Sequence, residues 1–361
     1  MKNKLRVAIL FGGRSAEHEI SLISARNIVA AMDKSRYEIV AIGIDKQGRW
    51  SYDREARLLG DGQKQVIPFN HAQLTGILPG ASQSSLIALG GARLKIDVVF
   101  PVLHGPFGED GTVQGLLKLA NIPFVGASVL GSAIGMDKDV MKRLLRDARV
   151  PIGRFHVYGR SAADRIKFTP LTKDLGQPLF VKPANLGSSV GISKVEKRSE
   201  LEAAVRNAFR FDNKILIEEF IEGREIECSV IGNDDPIASL PGEIVTGHNF
   251  YSYDAKYIDD QGSRLEIPAK LPRAIVKSVR EIAIKTYRTL CCEGMARVDF
   301  FVKANGQVLV NEINTIPGFT QISMYPKMWA ASGISYPKLI DRLIQLALQR
   351  FRQEQKLRTS V

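Results

Sequence analysis

The most constraining feature of this chain is a stretch near its C-terminus where polarity alternates with a period of two on both sides of a turn. Ala296–Val302 and Val308–Asn314 flank Lys303–Gly306. Successive side chains of a strand point to opposite faces, so the pattern predicts a hairpin with one apolar and one polar face. Pairing Val302 with Gln307 sets Arg297 opposite Glu312 and Asp299 opposite Val310. Arg297, Asp299, Glu312 and Asn314 then share a face, while Val298, Phe300, Val302, Leu309 and Ile313 form the core face. Two carboxylates and an amide converging beside an arginine are costly unless something neutralises them. Hard oxygen donors suit Mg²⁺, which keeps waters and bridges nucleotide phosphates. A salt-bridged surface hairpin would show the same segregation of faces. The polar residues cluster at one end, however, and a Gly/Ser loop lies elsewhere in the chain; together these point to a metal site.

That loop is Lys182-Pro183-Ala184-Asn185-Leu186-Gly187-Ser188-Ser189-Val190-Gly191, directly after an apolar run. Small residues let the backbone fold over a phosphate with successive N–H groups aimed at the anion, and the lysine adds a point charge. The lysine precedes the glycines, so this is not a Walker loop. Gly12-Gly13-Arg14-Ser15-Ala16-Glu17 lacks the dinucleotide-binding spacing, which argues against a nucleotide-dependent oxidoreductase.

The N-terminal part predicts buried strands at Leu5–Phe11, Tyr37–Ile44 and Asp97–Val102, with a short one at Pro123–Val125. A helix over residues 16–32 is expected to bury Ile20, Ile23, Ile28 and Ala31, with Ser15 as its cap. Residues 60–92 read as loop. This β-α-β order argues for a parallel sheet with helices on both faces. Beyond a helix at Met136–Arg149 the grammar changes. Strands are expected at Leu179–Lys182, Ile215–Phe220 and Glu225–Ile231, helices near Ser199–Phe209, Pro272–Leu290 and from Tyr336 to about Gln353, and a loop at Phe250–Gly262. Three units are expected: an α/β unit over 1–136 and α+β units over 137–214 and 215–361.

Composition narrows the class. With 361 residues, 45% hydrophobic and 24% charged, the chain matches a soluble globular protein of two or three units. No apolar run reaches the roughly 18 residues of a membrane span, and the basic N-terminus lacks a small-residue cleavage site. Three cysteines without a C-x-x-C spacing suggest neither disulfides nor zinc, which favours the cytoplasm. The net charge of +12 suits anionic ligands, but no aromatic interleaving or nucleic-acid motif accompanies it.

Lys182…Gly187-Ser188-Ser189-Val190-Gly191, Arg297-Val298-Asp299 and Glu312-Ile313-Asn314-Thr315-Ile316-Pro317-Gly318 resemble the ATP-grasp superfamily. Gly12-Gly13…Glu17…Ser21, His104-Gly105…Gly108-Glu109-Asp110-Gly111, Met136-Asp137-Lys138 and Tyr253…Lys256-Tyr257 narrow the resemblance to the D-alanine–D-alanine ligase family. The motifs span residues 12 to 326 in the family's order. The resemblance implies three domains with ATP held between the central and C-terminal ones. Lys138, Lys182 and Ser189 would contact the phosphates, Glu218, Glu219, Phe220 and Ile221 the adenine, and Glu225 the ribose. Asp299, Glu312 and Asn314 would hold two Mg²⁺ ions, with Mn²⁺ a possible substitute. Glu17 and His104 would bind the first D-alanine, and Ser323 and Met324 the carboxylate of the second. Arg297 and the Gly318 N–H would face the reacting acyl group. A closing loop would bring in Lys256 and Tyr257, the latter in a Glu17–Ser188–Tyr257 network. A homodimer is expected, with no nucleic-acid or membrane partner.

Two rivals stand beside this reading. A depsipeptide ligase taking D-lactate is disfavoured by the Lys256-Tyr257 pair and by Met324. A nucleotide sensor without activity is disfavoured because all three expected metal ligands are present. His18 and Glu19 are expected at the surface. Leu186 stands where a polar or small residue is expected.

Overall fold

The computed structural model describes residues 4–53, 73–77, 85–88, 93–187, 190–246 and 263–358. Their strands form three sheets. The first contains β1 (Leu5–Gly12), β2 (Tyr37–Ile44), β3 (Trp50–Asp53), β4 (Gln73–Ile77), β5 (Ser85–Ala88), β6 (Arg93–Lys95) and β7 (Val98–Val102), in the order β6-β5-β4-β3-β2-β1-β7. β1 is parallel to both β2 and β7. β3 to β6 extend the sheet antiparallel, so β4 and β5 lie inside the stretch expected to be loop. Phe124 adds a parallel bridge to Val99.

Helix α1 (His18–Ala31) buries Ser21, Leu22, Ser24, Ala25 and Ile28, while Ile23 is exposed. The expected stripe is therefore rotated. The reason is polar: Ser21 Oγ accepts from Gly12 N at 2.7 Å and donates to Val102 O, and Ser24 Oγ accepts from Phe319 N at 3.2 Å. These bonds require the serines to face inward. Glu17 takes the cap position, and Ser15 Oγ accepts from Glu17 N one turn earlier. His18 is buried with Nδ1 2.9 Å from Gly13 O, contrary to expectation. Glu19 is exposed and pairs with Lys46 at 3.0 Å.

Three helices follow: α2 (Thr112–Leu119), α3 (Val129–Met136) and α4 (Lys138–Asp147). Asp137 separates the last two, because its carboxylate caps α4 by accepting from Asp139 N and Val140 N, both at 3.1 Å.

The second sheet is antiparallel: β8 (Phe155–Gly159), β9 (Leu179–Pro183), β10 (Ser193–Val195) and β11 (Lys214–Glu219), in the order β10-β9-β11-β8. With α5 (Phe168–Leu175) and α6 (Arg198–Ala208) it encloses its own core of Leu171, Val181, Leu201, Val205 and Ile217. The expected division at 214/215 falls inside β11.

The third sheet holds β12 (Arg224–Gly232), β13 (Ile237–Ala238), β14 (Gly242–Thr246), β15 (Ser263–Glu266), β16 (Gly294–Val302) and β17 (Val308–Asn314), in the order β15-β14-β12-β16-β17 with β13 on β12. On one face α4 and α7 (Arg273–Thr289) contribute Met141, Leu145, Val279 and Tyr287 to a core with Val298, Phe300 and Val310. Two helices follow, α8 (Met324–Ala331) and α9 (Tyr336–Glu354). Phe319, Tyr325, Trp329 and Leu343 join Ile9 and Phe100 of the first sheet in a shared core. Arg350 of α9 donates to Gly126 O at 2.6 Å and Phe124 O at 2.8 Å. No helix among the described residues is long and apolar enough to cross a membrane.

The hairpin is β16–β17, with a register that differs from expectation. Val302 pairs with Val308, and the ladder shifts between Asp299 and Phe300, leaving Asn311 as the extra residue of a β-bulge. Beyond the bulge Asp299 faces Glu312 and Arg297 faces Asn314. Val310 joins the core beside Phe300, and Leu309 pairs with Phe301 instead.

Candidate active site

The bulge sets the central feature of the site. It brings two carboxylates, Asp299 and Glu312, directly opposite each other, an arrangement that is unfavourable without a cation between or beside them. β12 adds a third acid, because Glu227 pairs with Asp299 on the other side. Arg297 sits among them. Its Nε and Nη2 each lie 2.7 Å from Asp299, and Nε is 3.0 Å from Glu227 Oε2. Asn314, with its amide oxygen toward Arg297, accepts from Nη2 at 3.2 Å and donates to Glu109 at 3.1 Å. Strand alternation thus delivers all four expected residues to one face. Glu227 belongs with them, and the alternation Glu225/Glu227 along β12 was the signal for it.

Above this face stands Lys138, whose backbone position follows from the Asp137 cap. Lys138 Nζ donates to Leu186 O at 2.7 Å and lies 3.3 Å from Glu312 Oε2. One lysine therefore touches both the Gly/Ser loop and the hairpin. Leu186 makes this contact through its carbonyl, which any residue there would offer. A small cleft lined by Glu109, Lys138, Leu186, Gly187, Glu312 and Asn314 joins four separate segments of the chain. Among the described residues, no group of three or more His, Cys, Asp or Glu side chains forms a metal cage of its own. Two acids and an amide are the partial donor set expected for an ion that keeps waters and phosphate oxygens.

Glu17 and His104 lie at the first-sheet side of this cleft. Glu17 is buried at the start of α1. A Cβ at Gly105 would lie 3.4 Å from its Oε2, and one at Gly187 3.8 Å, so the carboxylate sits between the two glycine loops. His104 is buried, with Nδ1 3.0 Å from Ile316 O. A carbonyl only accepts, so Nδ1 carries the hydrogen and Nε2 is the acceptor of a neutral ring. Burial and the Arg297 charge hold the ring below the usual histidine range, against the opposing pull of Glu17 and the Ile316 carbonyl. His104 Nε2 is buried without a hydrogen-bond partner among the described residues. A carboxylate and an imidazole acceptor side by side suit an ammonium group.

Glu109 was not assigned a role from sequence, although it stands in the His104–Gly111 motif. It accepts from Gly105 N at 2.7 Å and Ile316 N at 3.3 Å, and so ties the His104 loop to the turn after β17. Burial pushes its carboxyl up to about 8, helped by Glu17 and opposed by the two N–H groups and Arg297. The unfolded chain gives up this proton near the ordinary value of 4.5. Between those values the unfolded state holds fewer protons, so rising pH favours unfolding. Wild type is therefore expected to lose stability relative to Glu109→Gln as pH rises from 4.5 toward 8, by up to about 1.4 kcal/mol per unit. Urea melts of both proteins across that range check this; parallel curves would refute it.

The residues expected at the nucleotide lie on β9, β11 and β12 and in the turn between the last two. Lys182 Nζ is 2.5 Å from Glu218 Oε2, and both side chains are buried. The Glu219 carboxylate accepts from Arg154 N at 2.7 Å and Nε at 2.8 Å, and its backbone N–H donates to Arg154 O at 3.2 Å. Phe220 is exposed and stacks on Phe180 with centroids 6.0 Å apart. Ile221 packs beside Gly153, where a Cβ would lie 2.7 Å from its Cδ1. Glu225 is half-buried opposite Phe301.

At the far end, a Cβ on Gly318 would lie 2.7 Å from Ser323 Oγ, so the two share one turn. Ser323 is the residue before α8 and accepts from Thr320 N at 2.9 Å. The Met324 side chain is buried against Ile244 and Met328. What it can offer a ligand is its backbone N–H in the first turn of α8. Ser188, Ser189, Lys256 and Tyr257 lie outside the described residues, as do residues 247–262.

Two antiparallel-rich sheets beside an α/β unit, one carrying Lys182 and Glu218 and the other Arg297, Asp299 and Glu312, with Lys138 between the Gly/Ser loop and the hairpin, define an ATP-grasp ligase. Residues 6–127 match the family described as D-ala D-ala ligase N-terminus, and residues 144–345 the D-ala D-ala ligase C-terminus. The chain is 49% identical to a D-alanine–D-alanine ligase of Oceanobacillus iheyensis, covering 99% of each chain. It is 51% identical to D-alanine–D-alanine ligase A of Escherichia coli K12, over 99% of this chain and 100% of the other. Among solved structures, the D-alanine-D-alanine ligase from Coxiella burnetii superimposes with a TM-score of 0.86 at 41% identity, over 98% of this chain and 96% of the other. The VanG D-Ala:D-Ser ligase from Enterococcus faecalis gives 0.85 at 34%, over 96% and 100%. This chain belongs to the D-alanine–D-alanine ligase family.

Proposed function

We propose that this chain joins two D-alanine molecules to D-alanyl-D-alanine, with ATP converted to ADP and phosphate, for peptidoglycan precursors. The observation that carries this is the bulged hairpin, with Asp299 opposite Glu312 and with Arg297, Asn314 and Lys138 around the pair. The first D-alanine carboxylate attacks the γ-phosphorus, the bond to ADP breaks, and an acyl phosphate results. The second amine, as the neutral base, attacks the acyl carbon, and phosphate leaves. Asp299, Glu312 and Asn314 fit Mg²⁺ by donor type, with Mn²⁺ as a substitute; two bound ions would offset the charge of the β- and γ-phosphates.

The protein's own groups do the rest. Lys138 and Lys182 neutralise phosphate oxygens. Glu218 to Ile221 edge the adenine, with Phe220 as an apolar wall, and Glu225 meets the ribose. Glu17 and His104 accept hydrogen bonds from the first ammonium group. Arg297 and the Gly318 N–H face the oxygen that becomes negative in the tetrahedral intermediate, and each such donor is typically worth about 3 kcal/mol. Ser323 and the Met324 N–H hold the second carboxylate. Ser188, Ser189, Lys256 and Tyr257 complete the set by family resemblance. Three domains are proposed, with boundaries near 136 and after β11; the separate core of the second sheet supports the central one. A cytoplasmic homodimer completes the proposal.

The test is direct. Given ATP, Mg²⁺ and D-alanine, the protein should release phosphate and form the dipeptide. With D-lactate and D-serine added in equal amounts, D-alanyl-D-alanine should dominate by mass analysis. A depsipeptide as main product would overturn the assignment of the second substrate. Phosphate release at background would favour the sensor.

A further inference from the structure

One buried charge has no part in the chemistry above. Lys142 lies one turn after Lys138 on α4, so a single helix face carries both lysines. Lys138 meets Glu312 at the hairpin. Lys142 meets Glu218 on the second sheet, with Nζ 3.2 Å from Oε1. Its side chain is 3% exposed, and the Phe155 ring covers it at 5.6 Å. Burying an ammonium group this deeply is costly unless its partner repays the lost hydration. Burial pulls the Lys142 pKa down, while Glu218 pulls it back up.

The partner is shared. Glu218 Oε2 lies 2.5 Å from Lys182, and Oε1 faces Lys142. Each oxygen of Glu218 therefore has its own lysine, and Oε1 is fully covered. The carboxylate is thus a buried acceptor, held in place by charge from two sides. Without Lys142, the whole charge of Glu218 would fall on Lys182 and draw that lysine away from a phosphate.

We infer that Lys142 is a positioning residue for nucleotide recognition: it fixes the Glu218 carboxylate in reach of the exocyclic amine of adenine and shares its charge, so that Lys182 can serve a phosphate. This deepens the proposed function and rests on its placement of adenine beside Glu218. It also sets base preference. A purine with an oxo group at that position would set an acceptor against an acceptor, which leaves both unsatisfied.

Lys142→Met keeps the length of the stem and removes the charge. The KM for ATP should rise about tenfold, as for loss of one charge-assisted hydrogen bond. The KM for D-alanine should hold, and kcat should change by less than about threefold, the mark of lost ground-state binding. The preference for ATP over GTP should fall. A residue that merely filled space would leave that preference alone. Glu218→Gln should show the same pattern, and the double variant should be no worse than the poorer single one, because both act through one contact. If Lys142→Met does not fold, Lys142→Gln carries the same comparison. Strictly additive effects, or an unchanged ATP-to-GTP ratio in the Lys142 variant beside an altered one in Glu218→Gln, would overturn the role of Lys142. If Glu218→Gln itself leaves nucleotide KM and base preference untouched, the placement of adenine fails instead.

Discussion

Glu312→Gln is expected to lower kcat by about a thousandfold, or about 4 kcal/mol at 1.36 kcal/mol per decade. The substitution keeps the shape of the side chain and removes one charge. Glu312 is directly opposite Asp299 because of the bulge, and Lys138 lies 3.3 Å away. The amide would leave Asp299 as the one full charge of the expected donor set, and would loosen Lys138 from the hairpin. Folding should survive, because the change also relieves the opposition of like charges across the strands. Phosphate release titrated against Mg²⁺ should show both a lower plateau and a midpoint at higher concentration. Wild-type activity at limiting Mg²⁺ would remove Glu312 from the ligand set.

Arg297→Met should be the most damaging substitution overall, since it acts on stability and rate together. Arg297 satisfies Asp299 with two bonds of 2.7 Å and Glu227 at 3.0 Å. All three side chains are less than a fifth exposed. Removing one partner from such a pair strands charge in a poorly solvated place, which typically costs about 3–5 kcal/mol. Independently, loss of a donor to the developing oxyanion should cut kcat by a factor of about 100–1,000. The two effects separate in a double variant. Arg297→Met with Glu227→Gln removes one stranded charge, so stability should partly recover in a urea melt. Activity should not recover. A double variant that regained both would mean that Arg297 only holds the fold together.

The sheet-forming grammar was legible because it depends on period alone. The active face of the hairpin was also legible, although its register was not. The turn is one residue longer than expected, and the bulge at Asn311 adds another. Each slip by itself would exchange the faces. Two in the same direction restore them, so Arg297, Asp299, Glu312 and Asn314 stay together. Between the slips the exchange persists, which is why Leu309 and Val310 trade sides. The strands inside 60–92 left little trace, since short antiparallel strands take much of their support from neighbours. The burial of His18 and Glu109 arises from bonds to Gly13, Gly105 and Ile316. Local periodicity carries no signal for such contacts. Lys142 carries no sequence signal of its own, because Glu218 meets it only in three dimensions.

The helices α8 and α9 weld the first and third sheets through one apolar mass, whereas the second sheet keeps a core to itself. Its attachment near Lys138 is polar: Lys214 grips Asp137 at 2.6 Å and Asp139 at 2.9 Å. Structures part most easily where few apolar contacts cross. The four-stranded sheet is therefore the part of the molecule expected to shift most readily against the rest, about this ionic contact. Glu17, His104, Arg297 and Ser323, the residues proposed for the amino acids, all stand on the welded side and would keep their spacing through such a shift.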